Sequence, residues 1–157
     1  MANNLPTTAY KRVQSPSDSL DGVACISMVV GKPIADVFKA AVEKFGLRGT
    51  HGPYYIDEAR LQILFATFGY VAGNYKELTS ISDLPDLALV WQDTDVEQGF
   101  GRVMLFHRMR DVANPKQPFA YVIDPAPQTN PSKQVTTELD DLELTWFMPI
   151  SPMAKPK

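Results

Sequence analysis

Reactive side chains are scarce in this chain, which holds one cysteine and two histidines in 157 residues. A lone cysteine excludes an internal disulfide and every thiolate-rich metal site, and His51 and His107 form no HExxH-type pair. No metal and no other cofactor is therefore expected. Positive charge is not in excess either: 15 Lys and Arg stand against 18 Asp and Glu, a formal net charge of −3. The basic residues are scattered apart from Lys155 and Lys157 at the end, so there is no electrostatic footprint for nucleic acid. No apolar run approaches the roughly 20 residues that span a bilayer. The opening residues, MANNLPTTAYKR, contain no hydrophobic segment of the kind a Sec-type leader needs. The default expectation is a cytoplasmic protein without membrane insertion, although secretion by a specialised machine would leave no mark in these residues. What remains is ordinary for a soluble globular protein, 45% hydrophobic and 21% charged, and the length suits one domain with a real core.

One stretch organises the rest. Gln14 opens a polar, turn-prone run (Ser15 to Ser19) that stops at Asp21-Gly22, and an almost wholly apolar run from Val23 to Val30 follows, closed by Gly31-Lys32-Pro33. An Asp before an apolar run is an N-cap signal, and Gly followed by Pro is a stop signal. The pattern predicts a short buried helix over about 22–30, its N-terminus pointing out of the core and a glutamine just upstream.

Pro33 suits the first turn of a second helix, in which Ile34, Val37, Phe38, Ala41, Val42 and Phe45 recur at spacings of three and four. Residues 47–55 read as a loop that contains His51. A third helix is expected over about 56–68; it is apolar over most of its surface and so should be central. Past Gly69 the periodicity changes. Short apolar runs bounded by turn residues predict strands at 70–72, 88–91, 103–106 and 119–123, with a turn at 80–85. The segment DVANPKQPF reads as the loop of an antiparallel hairpin that Asp124-Pro125 ends sharply. Gln128 to Thr137 is polar and loop-like, and a helical turn then leads into a last strand at 144–148. Helices first and an antiparallel sheet afterwards predict an α+β domain. It is expected to occupy residues 13–150, between a flexible tail over 1–12 and a C-terminal tail over 151–157.

The pieces Gln14, Gly22-Val23-Ala24-Cys25-Ile26-Ser27-Met28-Val29, Gly101-Arg102-Val103-Met104-Leu105 and Tyr121-Val122-Ile123-Asp124-Pro125-Ala126 occur in an order that carries a likeness. They resemble the papain-like peptidases that cleave double-glycine leaders from bacteriocins, and their stand-alone relatives. In that family a Gln precedes an Asp-Cys-Gly-x-Ala-(Cys/Ser)-Leu-x-Met-(Ile/Val) helix. A Gly-His pair then opens a strand and an Asp-Pro closes the neighbouring one. The resemblance covers about residues 13–149 and implies a bacterial papain-like cysteine peptidase fold, with N-terminal helices packed on a C-terminal antiparallel sheet.

The departures fall on the chemistry. In the family's order, the nucleophilic cysteine falls on Asp21 and the histidine on Arg102, while the oxyanion-type Gln14 and the orienting Asp124 match. Arginine cannot serve as a general base at neutral pH. The expected function is that of a pseudoenzyme, a degenerate papain-like domain that binds a peptide or protein segment in the former active-site groove. The resemblance supplies a precedent, the peptidase-like domain of haemolysin-type exporters, which has lost its cysteine and holds substrate. Two active alternatives stand beside it. One is a cysteine peptidase or amidase using Cys25 with His107 or His51 and Asp124; the other is a hydrolase using the carboxylates Asp21 and Asp124.

Register bears on the first alternative. With Asp124 opposite Arg102, Val103 would pair with Ile123 and His107 with Phe119, placing His107 about 16 Å along the strand from Asp124. Cys25, one helical turn after Asp21, should be buried. Each candidate also has a plain structural role: Cys25 as a small core hydrophobe, His107 as a strand-edge polar residue, His51 as a loop histidine, Asp21 as a cap and Asp124 as a turn former. A further expectation is that Arg102 bridges Asp21 and Asp124, replacing the peptidase's catalytic line with an ion network.

Overall fold

The apolar run after Asp21-Gly22 forms α1 (Asp21–Val30), whose residues Val23 to Val29 are all buried. A helix apolar on every side needs neighbours on every side, and α1 packs on the sheet and on both other helices, α2 (Ile34–Phe45) and α3 (Glu58–Thr67). The computed structural model describes residues 9–16, 21–45, 58–95, 100–109, 119–127 and 129–153, with the backbone alone at 93–95, 100–102 and 141. Gly31 ends α1 with a φ of 72°, a left-handed conformation that a Cβ disfavours, and its N–H donates to the Ser27 carbonyl at 3.0 Å. The buried Ser27 hydroxyl donates to the Lys32 carbonyl at 2.6 Å, so the polar group within this apolar helix is satisfied. The Pro33 carbonyl then accepts from the N–H groups of Asp36 and Val37, which starts α2.

Among the described residues the third helix is less central than its composition suggests. It buries Leu61, Leu64 and Phe65, whereas Ile63 is 46% exposed. The reason is its position: α3 packs on α1, α2 and the first strand, leaving one flank to solvent. Gly22 permits the close approach of α1, since a Cβ there would stand 3.3 Å from Leu61 Cδ2.

The strands are β1 (Tyr70–Ala72), β2 (Lys76–Glu77), β3 (Leu87–Asp95), β4 (Phe100–Met109), β5 (Phe119–Ile123), β6 (Val135–Thr136) and β7 (Leu144–Pro152). They form a seven-stranded sheet in the order β1-β7-β3-β4-β5-β6, with β2 also on β7 and every pairing antiparallel. The chain is thus α+β, helices first. Strand alternation divides the interior in two. Leu87, Leu89, Val103, Leu105, Tyr121, Ile123 and Met148 meet the helices, while Ala88, Val90, Met104, Phe106, Val122 and Phe147 pack under Leu84 and Leu139 on the other face. Two short 3-10 turns, Ile81–Asp83 and Leu139–Leu142, lie on that second face in place of helices. Among the described residues no helix is long and apolar enough to cross a membrane.

Three sequence expectations shift. Residues 10–12, assigned to a flexible tail, are docked: Tyr10 packs on the helix-side core and Arg12 bonds the end of β5. At the other end β7 continues through Ser151 and Pro152, which pair with Val71 and Tyr70. Part of the polar stretch from 128 to 137 is a strand, β6, paired with Val122 and Ile123 of β5. The hairpin register also differs from the expected one. Leu105, not Val103, pairs with Ile123, and His107 pairs with Tyr121 rather than Phe119. This slip of two residues keeps Val103, Leu105, Tyr121 and Ile123 on the helix face, so the apolar pattern does not resist it.

Candidate functional site

Asp124 follows the last residue of β5 and is 5% exposed. Its Oδ1 accepts the Ala126 N–H at 3.0 Å and its Oδ2 accepts the Thr129 hydroxyl at 2.9 Å. This is the local turn that an Asp before Pro favours. The N-terminal segment lies along the same turn, with the Ser15 N–H donating to the Pro125 carbonyl at 2.8 Å. Arg12 donates from Nε to the Asp124 carbonyl at 2.7 Å and from Nη2 to the Ala126 carbonyl at 2.8 Å. Its Nη1 reaches Gln14 Oε1 at 3.3 Å. A guanidinium only donates, so the carbonyl end of the Gln14 amide faces Arg12. The amide's Nε2 donor, the end an oxyanion-type role requires, is therefore not the end that Arg12 holds.

Asp21 opens α1 and is 5% exposed. A carboxylate in the first turn complements the positive end of the helix by about 0.3–1 kcal/mol. Cys25 lies one turn deeper and is wholly buried. Burial pushes its thiol well above the ordinary cysteine range, and the charges of Asp21 and Asp124 push it further in the same direction. The three residues thus share one electrostatic neighbourhood. At neutral pH the thiol there is protonated and shielded, the opposite of an activated nucleophile.

His107 belongs to a different neighbourhood. Its Nδ1 lies 2.9 Å from the Tyr121 hydroxyl, and the same hydroxyl accepts the Tyr10 N–H at 3.2 Å. The imidazole stands edge-on to the Tyr10 ring at 4.8 Å and to the Tyr121 ring at 5.5 Å. Partial burial lowers its pKa, and Asp86 opposes that shift. Among the described residues no hydrogen bond joins His107 to Cys25, so the alternative triad of Cys25, His107 and Asp124 is not assembled. In the observed register His107 is level with Tyr121, about 10 Å along the strand from Asp124 rather than the expected 16 Å.

Of the positions carried over from the peptidase pattern, the structure links Gln14 and Asp124 through Arg12, and the charges of Asp21 and Asp124 both act on Cys25. For Arg102 the backbone pairs with Gln92 of β3, not with Asp124. The proposed Arg102 bridge and His51 lie outside the described residues. Among the described residues no group of three or more His, Cys, Asp or Glu is arranged to hold a metal. Sequence reasoning missed Arg12, Thr129, Tyr10 and Tyr121. Thr129 follows the Asp-Pro at a distance that a turn can close, a usable signal. Little marks Arg12 locally, because two of its three acceptors are backbone carbonyls more than a hundred residues away. No protein-family model matches this chain, and no curated protein matches it either.

Proposed function

We propose that the chain is a catalytically degenerate papain-like domain, related in design to the peptidases of double-glycine leaders, and that it holds a peptide or protein segment rather than cutting it. The observation that carries this reading is a contrast within one site. Arg12 ties the Gln14 amide to the Asp124 turn, while Cys25, on which the charges of Asp21 and Asp124 both act, is fully buried and held protonated. Such a site retains a polar turn and an amide donor for a peptide backbone and lacks an accessible nucleophile.

Aromatic surface at the same end of the sheet supports the reading. Trp91 pairs with Val103 on one side and with Trp146 on the other, and Trp146 is 41% exposed. Tyr75 stands edge-on to Trp91 at 4.7 Å, its N–H held by Glu58 of α3 at 2.5 Å. Tyr and Trp side chains of this kind supply much of the contact area in peptide and protein recognition.

The test is a titration of a fluorescently labelled leader-type peptide ending in Gly-Gly, read by anisotropy, with mass spectrometry of the peptide after incubation. Saturable binding of a peptide that stays intact is the expected result. Cleavage, or no binding beyond that of a scrambled peptide, contradicts the reading.

A further inference from the structure

The guanidinium of Arg12 makes three separate contacts, and each is to a part of the proposed site. Nε and Nη2, on one edge of the fork, span the carbonyls of Asp124 and Ala126 at 2.7 and 2.8 Å, and Nη1 takes the Gln14 amide oxygen at 3.3 Å. The Ala126 N–H in turn donates to Asp124 Oδ1 at 3.0 Å. Arg12 is partly buried, and the segment that carries it is pinned on both sides. Tyr10 N–H is bound to the Tyr121 hydroxyl and Ser15 N–H to the Pro125 carbonyl.

From this geometry we infer that Arg12 is the positioning residue of the site: its planar fork sets the Asp124–Ala126 turn and the direction of the Gln14 amide together. The N-terminal segment is then a working part of the site. The inference rests on the peptide-holding reading for what the site binds, and on the hydrogen bonds alone for what Arg12 does. A planar five-donor group meets two carbonyls two residues apart and an amide oxygen at once. A lysine ammonium, a point charge on a flexible stem, does not reproduce that fork.

The experiment compares R12K and R12Q with the natural protein by thermal melting, by peptide titration, and by NMR of the Gln14 side-chain amide and the Ala126 backbone amide. With the fold intact, R12K should bind the Gly-Gly peptide about tenfold more weakly than the natural protein, because charge without the fork does not restore the geometry. In both variants the Gln14 Nε2 resonances should shift and the Ala126 amide should exchange faster with solvent. R12K that binds as the natural protein does, with both amides unmoved, overturns the inference and leaves Arg12 a surface cation. If the natural protein binds no peptide, the functional reading fails by itself. The two amide probes then decide the role of Arg12: changed amides support it and unchanged amides overturn it. Should R12Q fail to fold, R12K alone supplies both readouts.

Discussion

Residue 121 stands in the middle of β5 and residue 124 just beyond its end, yet they serve opposite kinds of surroundings. At Asp124 a buried carboxylate is held by Ala126 and Thr129, and with Asp21 it drives the Cys25 thiol toward its protonated form. At Tyr121 a buried phenol joins the half-buried imidazole of His107 to the backbone of Tyr10, and Asp86 is the charge that acts on that imidazole. Among the described residues a thiol, an imidazole and the carboxylates are thus distributed between two clusters. A cysteine hydrolase requires the three in one line, with the base within about 3.5 Å of the sulfur. An inventory of reactive residues therefore says little until the partners of each are known. Among the described residues, the hydrogen-bond partners of Asp124 and His107 are ones that an ordinary turn or core would supply.

The contrast can be broken most forcefully at its carboxylate end. Asp124→Ala leaves the Ala126 N–H and the Thr129 hydroxyl without the carboxylate and should cost about 3 kcal/mol, read from urea unfolding. Asp124→Asn, which keeps one acceptor, should cost about half of that. Equal costs would mean that the carboxylate charge carries the whole contribution and that a neutral acceptor cannot replace it.

At the other end, Tyr121→Phe removes the hydroxyl that Tyr10 and His107 share and should destabilise by about 1.5 kcal/mol without altering the reactivity of Cys25. A change in thiol reactivity in this variant would join the two clusters that the structure keeps apart. Cys25→Ala should cost about 1 kcal/mol, the value of a small buried group, and leave peptide binding unchanged. Loss of binding in Cys25→Ala would instead give the thiol a direct part in recognition.

The two clusters also carry opposite pH signatures. Burial lowers the pKa of His107, so the unfolded chain takes up that proton first. The neutral imidazole's contribution is complete above the ordinary value of 6.5 and is lost as pH falls through the lowered folded value. Burial raises the pKa of Cys25, so the protonated thiol's contribution is complete below the ordinary value of 9.0 and declines as pH rises past it. Unfolding midpoints measured between about pH 5 and about pH 10 should fall at both ends. His107→Gln should flatten the acid limb alone and Cys25→Ala should reduce the alkaline limb alone. Crossed effects would again show the clusters to be coupled.

Much of this arrangement is legible in the sequence because it is written in periodicity. The apolar run of α1, the three-and-four spacing of α2 and the short runs of β3, β4, β5 and β7 each name their own element. Parity along the hairpin is legible too, since Val103, Leu105, Tyr121 and Ile123 must share a face. Register is not, because a shift of two residues keeps every side chain on its face, and the choice falls to contacts such as the bond between His107 and Tyr121. The strands β2 and β6 hold two residues each, too few to show any alternation. The site shows the same division. Asp124 and Asp21 announce themselves through Pro125 and through the apolar run after Gly22, whereas Arg12 acts on backbone carbonyls that carry no sequence signature.

The central claim, that the site holds a buried and protonated thiol in place of a nucleophile, is tested most directly by alkylation of Cys25 with iodoacetamide in the native protein near neutral pH, followed by intact-mass spectrometry. No modification is expected on the timescale on which the urea-unfolded chain reacts completely. Rapid native alkylation that persists well below the ordinary cysteine pKa would contradict the claim and make the protein a cysteine hydrolase to be assayed as such.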